Sequence, residues 1–86
     1  MSSATASADF QIGLDAAQAG DYATALREWR PLADQGYANA QYNLGIMYAN
    51  GSGVPEDDVK AVKWFRLADE QGLDLAQTNL GRMYDK

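Results

Sequence analysis

The chain contains neither cysteine nor histidine. Without cysteine there is no disulfide, no thiolate nucleophile and no thiolate metal site. Without histidine the side chain that most often serves as a general base or metal ligand near neutral pH is missing as well. Basic residues are scarce too: seven Lys and Arg stand against twelve Asp and Glu, for a net charge of -5. The electropositive footprint that attracts phosphate backbones and anionic lipids is therefore missing, and neither nucleic acid nor a membrane surface is an expected partner. A membrane-spanning helix needs about 20 consecutive apolar residues. No run of that kind occurs, so membrane insertion is not expected. What remains is a chain of 86 residues, 47% apolar, with Ala, Leu, Tyr and Trp recurring at helical spacing. That pattern predicts one small all-α domain with a thin core.

Residues 1–8 are small and polar, and are expected to form a disordered tail. The stretch Ala4 to Ala8 also has the small-residue character of a secretory cleavage region, without the basic and apolar segments that normally precede one. If it is such a remnant, the chain is periplasmic or secreted; otherwise it is cytoplasmic.

Residues 9–86 read as the folded domain. A first helix pair covers about 10–36. Ile12, Gly13, Leu14, Ala16 and Ala17 supply one face of its opening helix, Asp21 caps the next, and Gly36 terminates it after Ala25, Leu26, Trp29, Leu32 and Ala33. A second unit covers about 38–72. Its helix from Ala38 to Asn50 turns Ala40, Leu44, Met47 and Tyr48 inward, with Gly45 permitting close approach of a neighbour. Gly51 to Pro55 form a loop anchored by Val54, and Asp57 caps a helix carrying Ala61, Trp64, Phe65 and Ala68 up to Gly72. A terminal helix at about 74–85 carries Ala76, Leu80, Met83 and Tyr84.

These elements repeat. A shift of 36 residues places Asp21 on Asp57, Ala25 on Ala61, Trp29 on Phe65, Gly36 on Gly72, Gln41 on Gln77, Asn43 on Asn79, Gly45 on Gly81 and Tyr48 on Tyr84. Caps, core positions and terminators coincide together, as they do in α-solenoids built from helix-turn-helix repeats. Aligning Gly13 with Gly45 takes a shift of 32, so the opening pair has a shorter loop.

At Ala40, Leu44-Gly45, Tyr48, Gly51-Ser52-Gly53-Val54, Asp57, Lys60-Ala61, Trp64-Phe65 and Ala68 through Gly72, the chain resembles the Sel1-like repeat family, a branch of the tetratricopeptide-like superhelices. The resemblance covers about Phe10 to Lys86. It implies a right-handed superhelix, here of five helices: two pairs and a terminal helix, with only the middle unit complete.

Enzymatic chemistry is not expected. No serine has a lysine three residues on, and no histidine is present to activate a hydroxyl. Glu56, Asp57 and Asp58 lack the alternating spacing of a calcium loop and read as capping residues. Gly51-Ser52-Gly53 has no third glycine and no preceding strand, so it reads as a loop rather than a dinucleotide site. Trp29, Trp64, Phe65 and Tyr48 occupy repeat positions that assign them to interhelical packing. No cofactor is expected.

The resemblance implies a non-enzymatic protein-interaction module whose concave face is lined by the first helix of each pair. Alignment on Gly45 and Gly81 selects Asn39, Tyr42, Asn43, Ile46 and Asn50, with Thr78, Asn79 and Arg82, as the surface that takes a peptide segment or a protein surface. The alternative is a self-associating structural module. There Leu80, Met83 and Tyr84 stay partly exposed on the terminal helix and support a homodimer or a domain swap.

Overall fold

Three aspartates start three of the helices. In the computed structural model, which describes residues 8–85, the chain forms α1 (Phe10–Gln18), α2 (Tyr22–Asp34), α3 (Ala38–Asn50), α4 (Asp58–Glu70) and α5 (Asp74–Tyr84). No strand occurs among the described residues. Residues 1–7, on which the tail and cleavage-region readings largely fall, lie outside the described residues, as does residue 86.

Asp9 Oδ1 accepts from the backbone N–H of Gln11 at 2.8 Å and of Ile12 at 3.1 Å. Asp21 Oδ1 accepts from Thr24 N–H at 3.2 Å, and Asp57 Oδ1 from Lys60 N–H at 3.1 Å. Each satisfies an N–H that has no partner inside the helix. Hydrogen bonding from Thr24, side chain first and then backbone, holds the Asp21 carboxyl below its ordinary value, with a small contribution from the Arg27 charge. Its stabilising contribution is therefore complete above the unfolded carboxylate range and is lost as the pH falls through the lowered value. Asp57→Ala leaves the corresponding N–H at the start of α4 unbonded. It is expected to cost about 1 kcal/mol and to lower the melting temperature by roughly 4–8 °C, as read by differential scanning fluorimetry.

The turns after α2 and α4 are built alike. Gly36 and Gly72 sit at φ +97° and +91°, where only glycine is unstrained. The following N–H folds back in each case, Tyr37 to Leu32 O at 2.9 Å and Leu73 to Ala68 O at 3.2 Å.

Each helix packs on the next, α1 on α2, α2 on α3, α3 on α4 and α4 on α5, with α3 and α4 making the most extensive contact. The core comprises Ala25, Trp29, Ala33, Ala40, Leu44, Met47, Tyr48, Ala61, Trp64, Phe65, Ala68, Ala76 and Leu80, and half-buried Val54 anchors the loop. The expected interhelical role of the four aromatic residues holds. Two of their rings lie directly on glycines of the preceding helix: Trp29 on Gly13 and Phe65 on Gly45. The Trp29 indole also donates from Nε1 to Phe10 O at 3.1 Å.

The expected face of α1 needs one correction. Ile12 is 49% exposed. The side of α1 that meets Trp29 runs through Phe10, Gly13, Leu14 and Ala17, and Ile12 lies on the opposite side of so short a helix.

One buried polar group ties the two pairs together. Gln41, 4% exposed, donates from Nε2 to Ala33 O at 3.1 Å and accepts from Gln71 Nε2 at 3.0 Å, and Gln71 Nε2 also donates to Gly36 O at 2.6 Å.

Candidate functional site

Because α1 and α3 both pack on α2 rather than closely on each other, a groove opens between them. A cavity of about 280 Å³ lies in it. From α1 come Leu14, Ala17 and Gln18; from α3 come Asn43, Ile46, Met47 and Asn50. Tyr22, Trp29 and Ser52 complete the lining. Leu14, Ala17, Ile46 and Met47 make the interior apolar, while the amides of Gln18, Asn43 and Asn50, with the side chains of Tyr22 and Ser52, add polar groups to the lining. None of these residues is charged, and α3 carries no charged side chain along its whole length, in a protein whose net charge is -5.

Asn43 is half-buried, and its amide makes no hydrogen bond among the described residues. It therefore keeps both a donor and an acceptor for an incoming group.

A second group forms between α3 and α5. Asn79 Nδ2 donates to Tyr42 Oη at 3.1 Å, and the Tyr42 ring stands 5.8 Å from the Phe65 ring, tilted by 49°. The geometry thus gathers the expected residues into two sets, Asn43 with Ile46 and Asn50 in the first groove, and Tyr42 with Asn79 in the second. Asn39, Thr78 and Arg82 are exposed and line neither the cavity nor the Tyr42–Asn79 bond, and the Thr78 hydroxyl turns back to Asp74 O at 3.4 Å.

The residues expected to mediate self-association also divide. Leu80 is 8% exposed and belongs to the core, which corrects its expected place on a partly open surface: α4 covers it. Met83 is half-buried. Tyr84 remains 59% exposed, and its hydroxyl accepts from Arg66 Nη2 at 2.6 Å and Nε at 3.1 Å.

Sequence reasoning missed the contribution of α1 to the groove. The signal was available, because the same shift of 32 that aligns Gly13 with Gly45 also places Leu14 on Ile46 and Gln18 on Asn50. A larger depression of about 590 Å³ follows the outer flank of α4 along Val59, Val62, Lys63, Arg66 and Leu67. Among the described residues it is lined by that helix alone, so no second element fixes groups across it. No cluster of three or more acidic side chains among the described residues is arranged to hold a metal ion. No helix among them is long and apolar enough to cross a membrane.

The Sel1 repeat family model matches residues 38–73 and 74–86. Among curated proteins, DAP3-binding cell death enhancer 1 of Rattus norvegicus is 41% identical over 51 residues, covering 59% of this chain and 10% of that protein. The exopolysaccharide production negative regulator of Rhizobium leguminosarum bv. viciae is 31% identical over 72 residues, 84% of this chain and 27% of its own length. Alginate biosynthesis protein AlgK of Azotobacter vinelandii is 37% identical over 75 residues, 87% of this chain and 16% of that protein. The chain thus spans between 10% and 27% of the length of these relatives. No solved structure matches it.

Proposed function

The chain belongs to the Sel1 repeat family, whose members generally serve as non-enzymatic modules of protein–protein interaction, and from that premise we propose that its α1–α3 groove binds a neutral, extended peptide segment. The observation that carries this reading is the uncharged groove itself: an apolar floor with the unbonded Asn43 amide beside it. An extended backbone presents alternating N–H and C=O groups that Asn43, Asn50 and Gln18 can pair, while an apolar side chain of the peptide enters among Leu14, Ala17 and Ile46. A charged side chain would lose its hydration there without gaining a partner, so acidic and basic segments are disfavoured. Relatives' names accord with a role in contacting other proteins, since the rat protein is named for binding one. A groove of this size buries little area, and affinity will be weak to moderate.

Selection of peptides from a displayed library against the 86-residue chain, followed by amide chemical-shift mapping, tests the proposal. Neutral peptides with an apolar anchor should be enriched and should move the resonances of Leu14, Asn43, Ile46 and Asn50. Ile46→Glu should weaken binding by at least about tenfold, and Asn43→Ala by roughly fivefold, the worth of one hydrogen bond. Shifts confined to another surface, or full affinity in a folded Ile46→Glu variant, would refute the groove as the site.

A further inference from the structure

The two pairs of neighbouring first helices differ at one contact. Between α3 and α5, Asn79 Nδ2 donates to Tyr42 Oη at 3.1 Å. One step earlier in the repeat, Asn43 takes the place of Asn79 and Phe10 takes the place of Tyr42, by the shifts of 36 and 32 that align the glycines. Ring packing supports the second equivalence independently. The Tyr42 ring lies 5.8 Å from the Phe65 ring, and the Phe10 ring lies 5.8 Å from the ring of Trp29, the repeat counterpart of Phe65. Each of these two partner rings in turn covers a glycine, Gly45 beside Tyr42 on α3 and Gly13 beside Phe10 on α1.

Phe10 is therefore seated as Tyr42 is, between Trp29 and the Tyr37 ring 5.2 Å away, but it carries a C–H where Tyr42 carries its hydroxyl. The missing oxygen accounts for the state of Asn43. Its amide is half-buried and makes no hydrogen bond among the described residues, whereas the amide of Asn79 is already engaged. A polar group withdrawn from water without a partner costs free energy, and the next repeat removes that cost with a single hydroxyl.

Taking the groove reading as its basis, we infer that Phe10 sets what the α1–α3 groove accepts. By withholding a hydroxyl it leaves Asn43 Nδ2 to donate to a carbonyl oxygen of the bound segment, which occupies the place that Tyr42 Oη holds beside Asn79. The group required there is an uncharged acceptor lying near the edge of an aromatic ring, and a peptide carbonyl meets both conditions. Phe10 does not line the cavity. It acts through Asn43, and is a positioning residue rather than a contact.

The probe is the blocked tripeptide N-acetyl-Ala-Leu-Ala-amide, one larger apolar side chain among uncharged peptide groups. Titrated to about 20 mM, which covers millimolar association, against the isotope-labelled 86-residue chain, it should shift the Asn43 side-chain amide together with the backbone amides of Leu14 and Ile46. Phe10→Tyr supplies the absent hydroxyl. It should move the Asn43 side-chain resonances before any tripeptide is added, melt no lower than the parent, and weaken tripeptide binding by roughly fivefold, the worth of one hydrogen bond. In an Asn43→Ala background no amide is left to occupy, so the same substitution should change the affinity by less than about twofold. Unchanged affinity in Phe10→Tyr would overturn the inference, as would an equal loss in both backgrounds, which would mean that the added oxygen merely disturbs packing. Failure of the groove reading itself shows earlier and differently, as a parent chain in which the tripeptide leaves Leu14, Asn43 and Ile46 unmoved.

Discussion

Replacing Phe65 with alanine is expected to remove about 3–5 kcal/mol of folding free energy, the usual cost of emptying a buried phenylalanine site. Domains of this kind are stable by only about 5–15 kcal/mol, so the variant should lose a large share of its margin, with a melting temperature lower by at least about 12 °C. Phe65 is 1% exposed, and its ring lies on Gly45 at the centre of the α3–α4 contact. The glycine makes the result diagnostic. A Cβ on residue 45 would stand 2.5 Å from Cε1 and 2.6 Å from Cδ1 of the ring, so the ring would have to shift, and at 1% exposure it would shift within a packed core. Gly45→Ala alone should therefore cost about 1–3 kcal/mol from overpacking, partly offset by about 1 kcal/mol of improved helix propensity. In the Phe65→Ala background the clash is gone and only the propensity gain remains, so the same substitution should become neutral or stabilising. Urea unfolding of the two single variants and the double variant measures this coupling. Additive losses would show that the glycine serves something other than the ring.

The helix boundaries were legible because their causes are local. Asp21 and Asp57 cap the helices that follow them, and Gly36 and Gly72 end the preceding ones through backbone geometry that depends on few neighbours. The internal repeat then extended those local signals into a packing scheme, placing Trp29 and Phe65 at matching core positions. What remained hidden depends on contacts distant in sequence. In the nine-residue α1, apolar residues occur on more than one side, and it is the Trp29 ring against Gly13 that decides which side is buried, leaving Ile12 outside. Leu80 was read as part of an open surface because the cover provided by α4 cannot be seen from α5 alone. The groove was half legible. Asn43, Ile46 and Asn50 followed from the repeat alignment, whereas Leu14, Ala17 and Gln18 required the different register of the opening pair. Gln41 was legible only as a repeated residue, since its partners Ala33 and Gln71 lie 8 and 30 residues away.

That buried amide carries the second large effect. Gln41→Glu keeps the shape of the side chain but replaces its donor with an oxygen that faces Ala33 O, at 3.1 Å in the parent. As a carboxylate it would be desolvated at a position 4% exposed, repelled by that carbonyl and supported by the single hydrogen bond from Gln71. An uncompensated buried charge costs about 3–5 kcal/mol, so the variant should be severely destabilised at neutral pH. Protonation offers a way out, because the neutral carboxyl can donate to Ala33 O and still accept from Gln71. The folded state then holds the proton more tightly than the unfolded chain, whose glutamate titrates near about 4.3. Between these two values the folded state binds more protons, so stability falls as pH rises, by up to about 1.4 kcal/mol per unit, and is regained on acidification. The melting temperature of Gln41→Glu should accordingly rise from pH 7 toward pH 5 relative to the parent. Gln41→Leu is the control. It leaves Ala33 O without its donor and removes the acceptor of one Gln71 hydrogen bond, a loss of about 1–3 kcal/mol that does not depend on pH. If the two variants followed the same pH profile, a buried charge would not be the cause, and the Gln41 amide would matter only for its hydrogen bonds.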